Sequence, residues 1–116
     1  MEVKVNKFPF YYILDINGEL DFLNSFKFKD LINSIIQENV NNVIIDFQNL
    51  SFIDSSGIGA LINTSFKFDS PDKSLWLVNF HGQAEKTINL TRLNEYFSIT
   101  TLDDAISKIN TNSKIN

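Results

Sequence analysis

Hydrophobic spacing along this chain switches repeatedly between strand-like and helix-like periods. Val43-Ile44-Ile45-Asp46-Phe47 is a β-branched run too short for a helix. Such a run fits a strand buried on both faces of a sheet. Ile58, Leu61, Ile62, Ser65 and Phe66 then recur at i, i+3, i+4, i+7 and i+8, which predicts an amphipathic helix with that stripe inward. Strand followed by helix followed by strand requires a crossover, and crossovers build parallel sheets covered by helices.

The same alternation reaches both ends. Val3 and Val5 alternate with Lys4 and Asn6 until Pro9. This predicts a short edge strand and a turn, because proline cannot donate to a ladder. Residues 11–17 read as a second strand, antiparallel to the first. Phe22, Phe26, Leu31, Ile32, Ile35 and Ile36 predict a helix with those residues inward, capped by Asp21 or Asn24 and ending near Asn39. Residues 48–54 read as a loop and Ser55-Ser56-Gly57 as the start of the second helix. Asp69-Ser70-Pro71-Asp72 reads as a turn. A strand over 75–80, a helix over 83–90 with Ala84 and Ile88 inward, and a strand over 97–100 follow. Thr101-Leu102-Asp103-Asp104 resembles a capping box before a last helix bearing Leu102, Ala105, Ile106 and Ile109. The predicted order is ββαβαβαβα, an α/β single domain over residues 1–110 with a mostly parallel sheet and helices packed against it. Residues 111–116 are expected to be a frayed polar tail.

Composition narrows the function classes. At 116 residues the chain suits one domain with one real core, and eleven phenylalanines make that core large. A net charge of −4 argues against a sequence-blind nucleic-acid binder, which needs a basic face to replace counterions. The absence of cysteine removes disulfides, thiol catalysis and cysteine metal sites. A single histidine, His81, leaves no histidine-based metal cluster and no base for a serine nucleophile; no Gly-x-Ser-x-Gly elbow and no Walker-type phosphate loop is present. Neither an enzyme nor a cofactor protein is expected. Met1-Glu2-Val3-Lys4 lacks the order of a signal peptide, and no apolar run approaches the roughly 20 residues that span a bilayer. The expectation is a soluble, cytoplasmic monomer.

One segment is chemically distinctive: Asn49-Leu50-Ser51-Phe52-Ile53-Asp54-Ser55-Ser56-Gly57-Ile58-Gly59. Two hydroxyls sit where a helix begins, beyond the C-terminal end of a strand, which is the edge where open α/β sheets place function. A helix N-terminus offers unpaired N–H groups and about half a positive charge. Two readings stay open from the pattern: a plain cap by Ser or Asp, or a place for an anion. Gly57 and Gly59 serve either close approach by another molecule or close helix–sheet packing. Asp21 and Asp54 are cap residues or partner-facing charges, Glu19 a solvated charge, and Phe52, Ile53 and Ile58 core or contact residues. Trp76 reads as packing.

At these residues the sequence resembles the STAS domain of the anti-sigma factor antagonist type. Gly18-Glu19-Leu20-Asp21 resembles the family's Gly-Glu-Leu-Asp after its second strand, and Leu50 to Gly59 resembles its central Asp-Ser-Ser-Gly signature. The segment from Thr91 to Phe97 lacks the glycine that many relatives carry before the last strand. The resemblance implies a protein that binds an anti-sigma factor, itself a serine kinase with an ATP-binding fold, and so frees a sigma factor. It implies phosphorylation of Ser55, which ends binding, and resetting by a PP2C-type phosphatase. The expected partner surface comprises Asp21, Asp54, Ser55, Ser56, Gly57 and Ile58. STAS-like domains also serve as adaptor subunits of lipid-transport ABC systems or stress-signalling scaffolds, and there Ser55 would not switch binding.

Overall fold

The computed structural model of the protein describes residues 1–115. Two strands open it, β1 (Glu2–Lys7) and β2 (Tyr12–Leu20), paired antiparallel with Val3 opposite Ile16 and Lys7 opposite Tyr12. Helix α1 (Phe22–Ile36), strands β3 (Asn42–Asp46) and β4 (Leu50–Ile53), and helix α2 (Ser55–Lys67) follow. Strand β5 (Ser74–Val78), helix α3 (Gly82–Leu90), a 3-10 turn (Leu93–Glu95), strand β6 (Ile99–Thr100) and helix α4 (Leu102–Ile115) complete the chain. The sheet order is β1-β2-β3-β5-β6, with β4 paired to β2 off that path. All pairings except β1 with β2 are parallel, as the alternation of strands and helices predicts.

Period-two alternation in β3 divides two cores. Val43 and Ile45 join Leu14, Ile16, Phe28, Ile32, Leu61 and Ile88 on the face covered by α1, α2 and α3. Ile44 turns the other way and packs with Val78, Ala105 and Ile109 under α4. Trp76 is half-buried on that second face, with Lys108 Nζ 5.2 Å from its ring centroid. Ala84 and Ile88 point inward as expected. Among the described residues no helix is long and apolar enough to cross a membrane.

The structure corrects the sequence expectations in four places. Residues 50–53 form β4 rather than loop. Strand β2 pairs with β3 over Tyr12–Asp15 and then with β4 over Gly18–Leu20, with a register shift inside that second pairing between Gly18 and Glu19. Gly18, at φ +111, supplies the backbone geometry for that change. Leu31, Ile32, Ile35 and Ile36 of α1 pack inward as expected, but its first turns differ. Ser25, Phe28, Ile32 and Ile35 are buried, whereas Phe22 and Phe26 face outward. Its partner helix buries Ile58, Ala60, Leu61 and Thr64, leaving Phe66 exposed, so the inward stripe lies about one residue from the expected one. Finally, α4 continues through the polar residues after Asn110 as far as Ile115; Asn116 of the expected tail lies outside the described residues. Before the last strand, Arg92 adopts a left-handed φ of 61°.

The start of α4 follows its predicted signal in part. Thr101 Oγ1 accepts from the Asp104 N–H at 3.1 Å. The Asp104 carboxylate accepts from Thr100 Oγ1 at 2.6 Å and pairs with Lys108, and these partners hold its pKa below the usual range.

Asp15 and Asp46 face each other across the β2–β3 pairing. Asp46 Oδ1 accepts from Gln48 N–H and Asn79 Nδ2; Asp15 Oδ2 accepts from Asn6 Nδ2 at 3.3 Å. Burial pushes the Asp15 pKa up, and the Asp46 charge adds to it against the smaller opposing pull of Asn6 and Lys4. A folded-state pKa above the unfolded one means that the fold favours protonated Asp15. That contribution is complete below the ordinary aspartate range and is lost as pH rises through the raised value. Asp15→Asn is therefore expected to raise the thermal midpoint at pH 7, with the gain shrinking toward pH 3, as differential scanning calorimetry across that range would show.

Candidate functional site

The segment from Leu50 to Gly59 folds as a short strand running into the first turn of α2. Asp54 is the N-cap: its backbone is extended and its Oδ1 accepts from Gly57 N–H at 3.0 Å. A side-chain oxygen at this position satisfies one of the helix's unpaired donors. Its other oxygen, Oδ2, accepts from the Phe22 N–H at 3.0 Å, so one carboxylate holds the first amide of α1 as well. The Asp54 N–H in turn donates to the Leu20 carbonyl at 3.3 Å. Asp21 is the N-cap of α1, accepting from Asn24 N–H at 3.0 Å, while Asn24 Nδ2 returns to the Glu19 carbonyl. The Gly-Glu-Leu-Asp and Asp-Ser-Ser-Gly segments thus meet at one rim of the sheet.

The six expected site residues separate into three groups there. Ser55 is the first helical residue of α2 and is exposed; Ser56 is half-buried beside it. Among the described residues neither hydroxyl has a hydrogen-bond partner within the chain, whereas every buried side-chain polar atom has one. Asp21 and Asp54 are half-buried caps whose carboxylates are engaged with backbone amides. Gly57 and Ile58 face inward, a correction to their expected place on the partner surface. A Cβ on Gly57 would overlap the Leu20 carbonyl oxygen and come within 2.7 Å of Ile53 Cγ1. Gly57 therefore admits β2 against the helix, not a visiting molecule. Gly59, by contrast, has nothing within 4 Å of an added Cβ.

Sequence reasoning missed Gln83. Its Oε1 accepts from Ile53 N–H at 3.0 Å and its Nε2 donates to the Ile53 carbonyl at 2.8 Å. The side chain occupies the outer edge of β4 as a neighbouring strand would, and it fixes the residue that precedes the cap. No local pattern marks it, because its partner lies 30 residues earlier in the chain. His81 is exposed and its Nε2 lies 2.8 Å from the Gln48 carbonyl, away from Ser55 in the hydrogen-bond network. Among the described residues no three His, Asp or Glu side chains converge as metal ligands would.

The two glycines should respond oppositely to the same substitution. Gly57→Ala is expected to destabilise by about 3 kcal/mol or more, because the obstructing atom belongs to the backbone of β2. Gly59→Ala should stabilise by about 0.5–1 kcal/mol through helix propensity alone. Urea unfolding of both variants checks the pair; equal effects would contradict the close approach at Gly57.

Known proteins are similar to this chain in sequence and in fold. An anti-sigma-B factor antagonist of Staphylococcus aureus is 20% identical over 89 residues, covering 77% of this chain and 82% of its own. The crystal structure of an anti-sigma factor antagonist from Mycobacterium paratuberculosis superposes with a TM-score of 0.84 at 22% identity, covering 94% of this chain and 93% of that one. The Bacillus cell fate determinant SpoIIAA in its phosphorylated form matches with a TM-score of 0.70 at 23% identity, over 93% of this chain and 99% of that one. The STAS domain family matches residues 2–108. With nearly its whole length so matched, this chain belongs to the STAS domain family.

Proposed function

We propose that this chain is an anti-sigma factor antagonist: unphosphorylated, it binds an anti-sigma factor that is also a serine kinase, and so frees a sigma factor. Phosphorylation of Ser55 ends binding, and a PP2C-type phosphatase restores it. The chain acts as a binding protein in the cytoplasm, not as an enzyme. One observation carries the reading: Ser55 is exposed at the first position of α2, beside a cap, Asp54, whose two carboxylate oxygens are already engaged. The names of the antagonists in Staphylococcus aureus and Mycobacterium paratuberculosis support it, as does a phosphorylated state for SpoIIAA.

Energetics make a local switch sufficient. Phosphate adds about −1.5 to −2 charge at pH 7. At a helix N-terminus the dipole favours it by roughly 0.3–1 kcal/mol, so the fold tolerates the group. Against a partner carboxylate about 4 Å away, each unit of charge costs around 4 kcal/mol at an effective dielectric of 20. A hundredfold loss of affinity needs only about 2.7 kcal/mol. Repulsion and desolvation at the contact are enough without refolding. Asp54 and Asp21 serve this switch as caps that hold the rim, Ser56 stands beside the modified hydroxyl, and Gly57 and Ile58 support it from within.

Incubation with the partner kinase and ATP is expected to add one phosphate, mapped to Ser55 by tandem mass spectrometry, and to weaken binding at least a hundredfold. Ser55→Ala should fold, resist modification and bind as the unmodified protein does. Ser55→Asp should fold and bind more weakly, short of the full effect because one carboxylate carries half the charge. A phosphate on another residue, or unchanged affinity after modification, would overturn the reading; copurification with a transporter ATPase in place of a kinase would favour the adaptor role.

A further inference from the structure

We propose that the cleft between the first half of β5 and the 3-10 turn is a docking site for an extended peptide segment, which adds its main chain to β5 at Leu75 and turns an apolar side chain toward Phe68 and Phe97. The cleft measures about 290 Å³, and its walls include Leu75, Phe68, Tyr96, Phe97 and Ser98. Tyr96 forms an aromatic lip, edge-on to Phe97 at 5.2 Å and to the exposed Phe66 at 6.4 Å between ring centroids. Ser65 also lines the cleft, ten residues after Ser55 on α2. That places it about 15 Å along the helix from the Ser55 rim.

The backbone of β5 is only half used on this side. Strand β3 pairs with it from Ser74 to Val78, but β6 covers only Leu77 and Val78. Successive strand residues turn their amides to opposite edges. Ser74 N–H donates to the Asn41 carbonyl and the Val78 carbonyl accepts from Phe47 N–H, so the even-numbered residues bond toward β3. Leu77 N–H donates the other way, to the Ser98 carbonyl at 2.9 Å. Leu75 has the parity of Leu77, so its N–H and C=O face the cleft; among the described residues neither bonds to another backbone group. The 3-10 turn explains the gap. The Tyr96 and Phe97 N–H groups both donate to the Leu93 carbonyl at 2.9 Å, which holds that segment off β5 and stops the pairing at Leu77.

The occupant follows from these groups. A free donor and a free acceptor on one strand residue match an extended main chain, the basis of peptide recognition by strand addition. A peptide residue opposite Leu75 would share its face of the sheet. Leu75 packs with the larger core, as do Phe68 and Phe97, so that residue should be apolar; its two neighbours would turn to the face of Trp76 and can be polar. Strand β1, at the far edge of the sheet, carries Glu2, Lys4 and Lys7, charges of the kind that deter pairing. Ser74-Leu75-Trp76 carries none. A second copy fits poorly. Its β1 would arrive with its whole sheet at an opening three residues long, and a β1-to-β5 contact is head-to-tail and does not close on itself. A single extended segment of a partner protein, apolar at its centre, fits the opening.

The test titrates the isotopically labelled full chain with the blocked peptide Ac-Thr-Val-Thr-Val-Thr-NH2 and follows the amides by NMR. Saturable shifts centred on the Leu75, Phe97 and Ser98 amides are expected, with hydrogen exchange at Leu75 slowed at least fivefold at saturation. Ser65→Trp fills the cleft from α2 without touching β5 and should weaken binding at least tenfold. Leu75→Pro removes the donor that faces the cleft and leaves the bonds of Ser74 and Trp76 to β3; it should weaken binding as much, and if it does not fold, Ser65→Trp decides. The same peptide with every nitrogen methylated should give no saturable shift. Ser55→Ala should bind the peptide as wild type does, which keeps the outcome independent of the antagonist reading. Equal binding of the methylated peptide would make the cleft an apolar pocket and overturn strand addition. Shifts centred on β1, or none that saturate up to millimolar peptide, would overturn the proposal as well.

Discussion

A single carboxylate joins the two halves of the site. Asp54 caps α2 through one oxygen and receives the first amide of α1 through the other. Both bonds are charge-assisted, and both helix N-termini carry positive partial charge that a carboxylate offsets. The β2–α1 turn and the β4–α2 turn, 32 residues apart along the chain at Phe22 and Asp54, are thereby one rim. Gly57 completes the joint from below, because only a residue without a side chain lets the Leu20 carbonyl approach the helix. The exposed Ser55 is presented by this junction and does not help to build it.

This division of labour clarifies why a phosphoacceptor can sit beside a cap. The capping duty falls on Asp54, so the adjacent hydroxyl is free of structural work. A serine that itself capped the helix would lose its bond on modification. Here a modified Ser55 would leave both Asp54 hydrogen bonds in place, and its added charge would be felt first by whatever stands outside the rim.

Much of the fold was readable in the residues. The β-branched run at Val43–Ile45 and the acidic caps before α1 and α2 announced their elements, because strand burial and cap chemistry are local properties. Elements that depend on distant partners were not. Strand β4 has four residues, of which Ser51 and Phe52 in the middle are exposed. It lacks period-two alternation, because its pairing with β2 passes over Ser51 between Gly18↔Leu50 and Glu19↔Phe52. The outward turn of Phe22 and Phe26 at the start of α1 was hidden for a related reason. Spacing alone treats every phenylalanine as core, and nothing local says that Ser25 bonds back to its own helix and goes under. At the site, Ser55 is exposed at the start of α2, where the pattern placed a helix beginning. The inward turn of Gly57 and Ile58 depended on how closely β2 crosses the helix, which no pattern within residues 54–59 records.

The amide clamp of Gln83 on Ile53 has a bearing on how another protein can approach. A four-residue strand paired on one side only would ordinarily invite a foreign strand along its open side. At Ile53 that side is already taken, both donor and acceptor, by a side chain from α3. Main-chain annealing next to the rim is thus foreclosed, and recognition there must be written in side chains, which can discriminate between visitors in a way that a bare ladder of amides cannot.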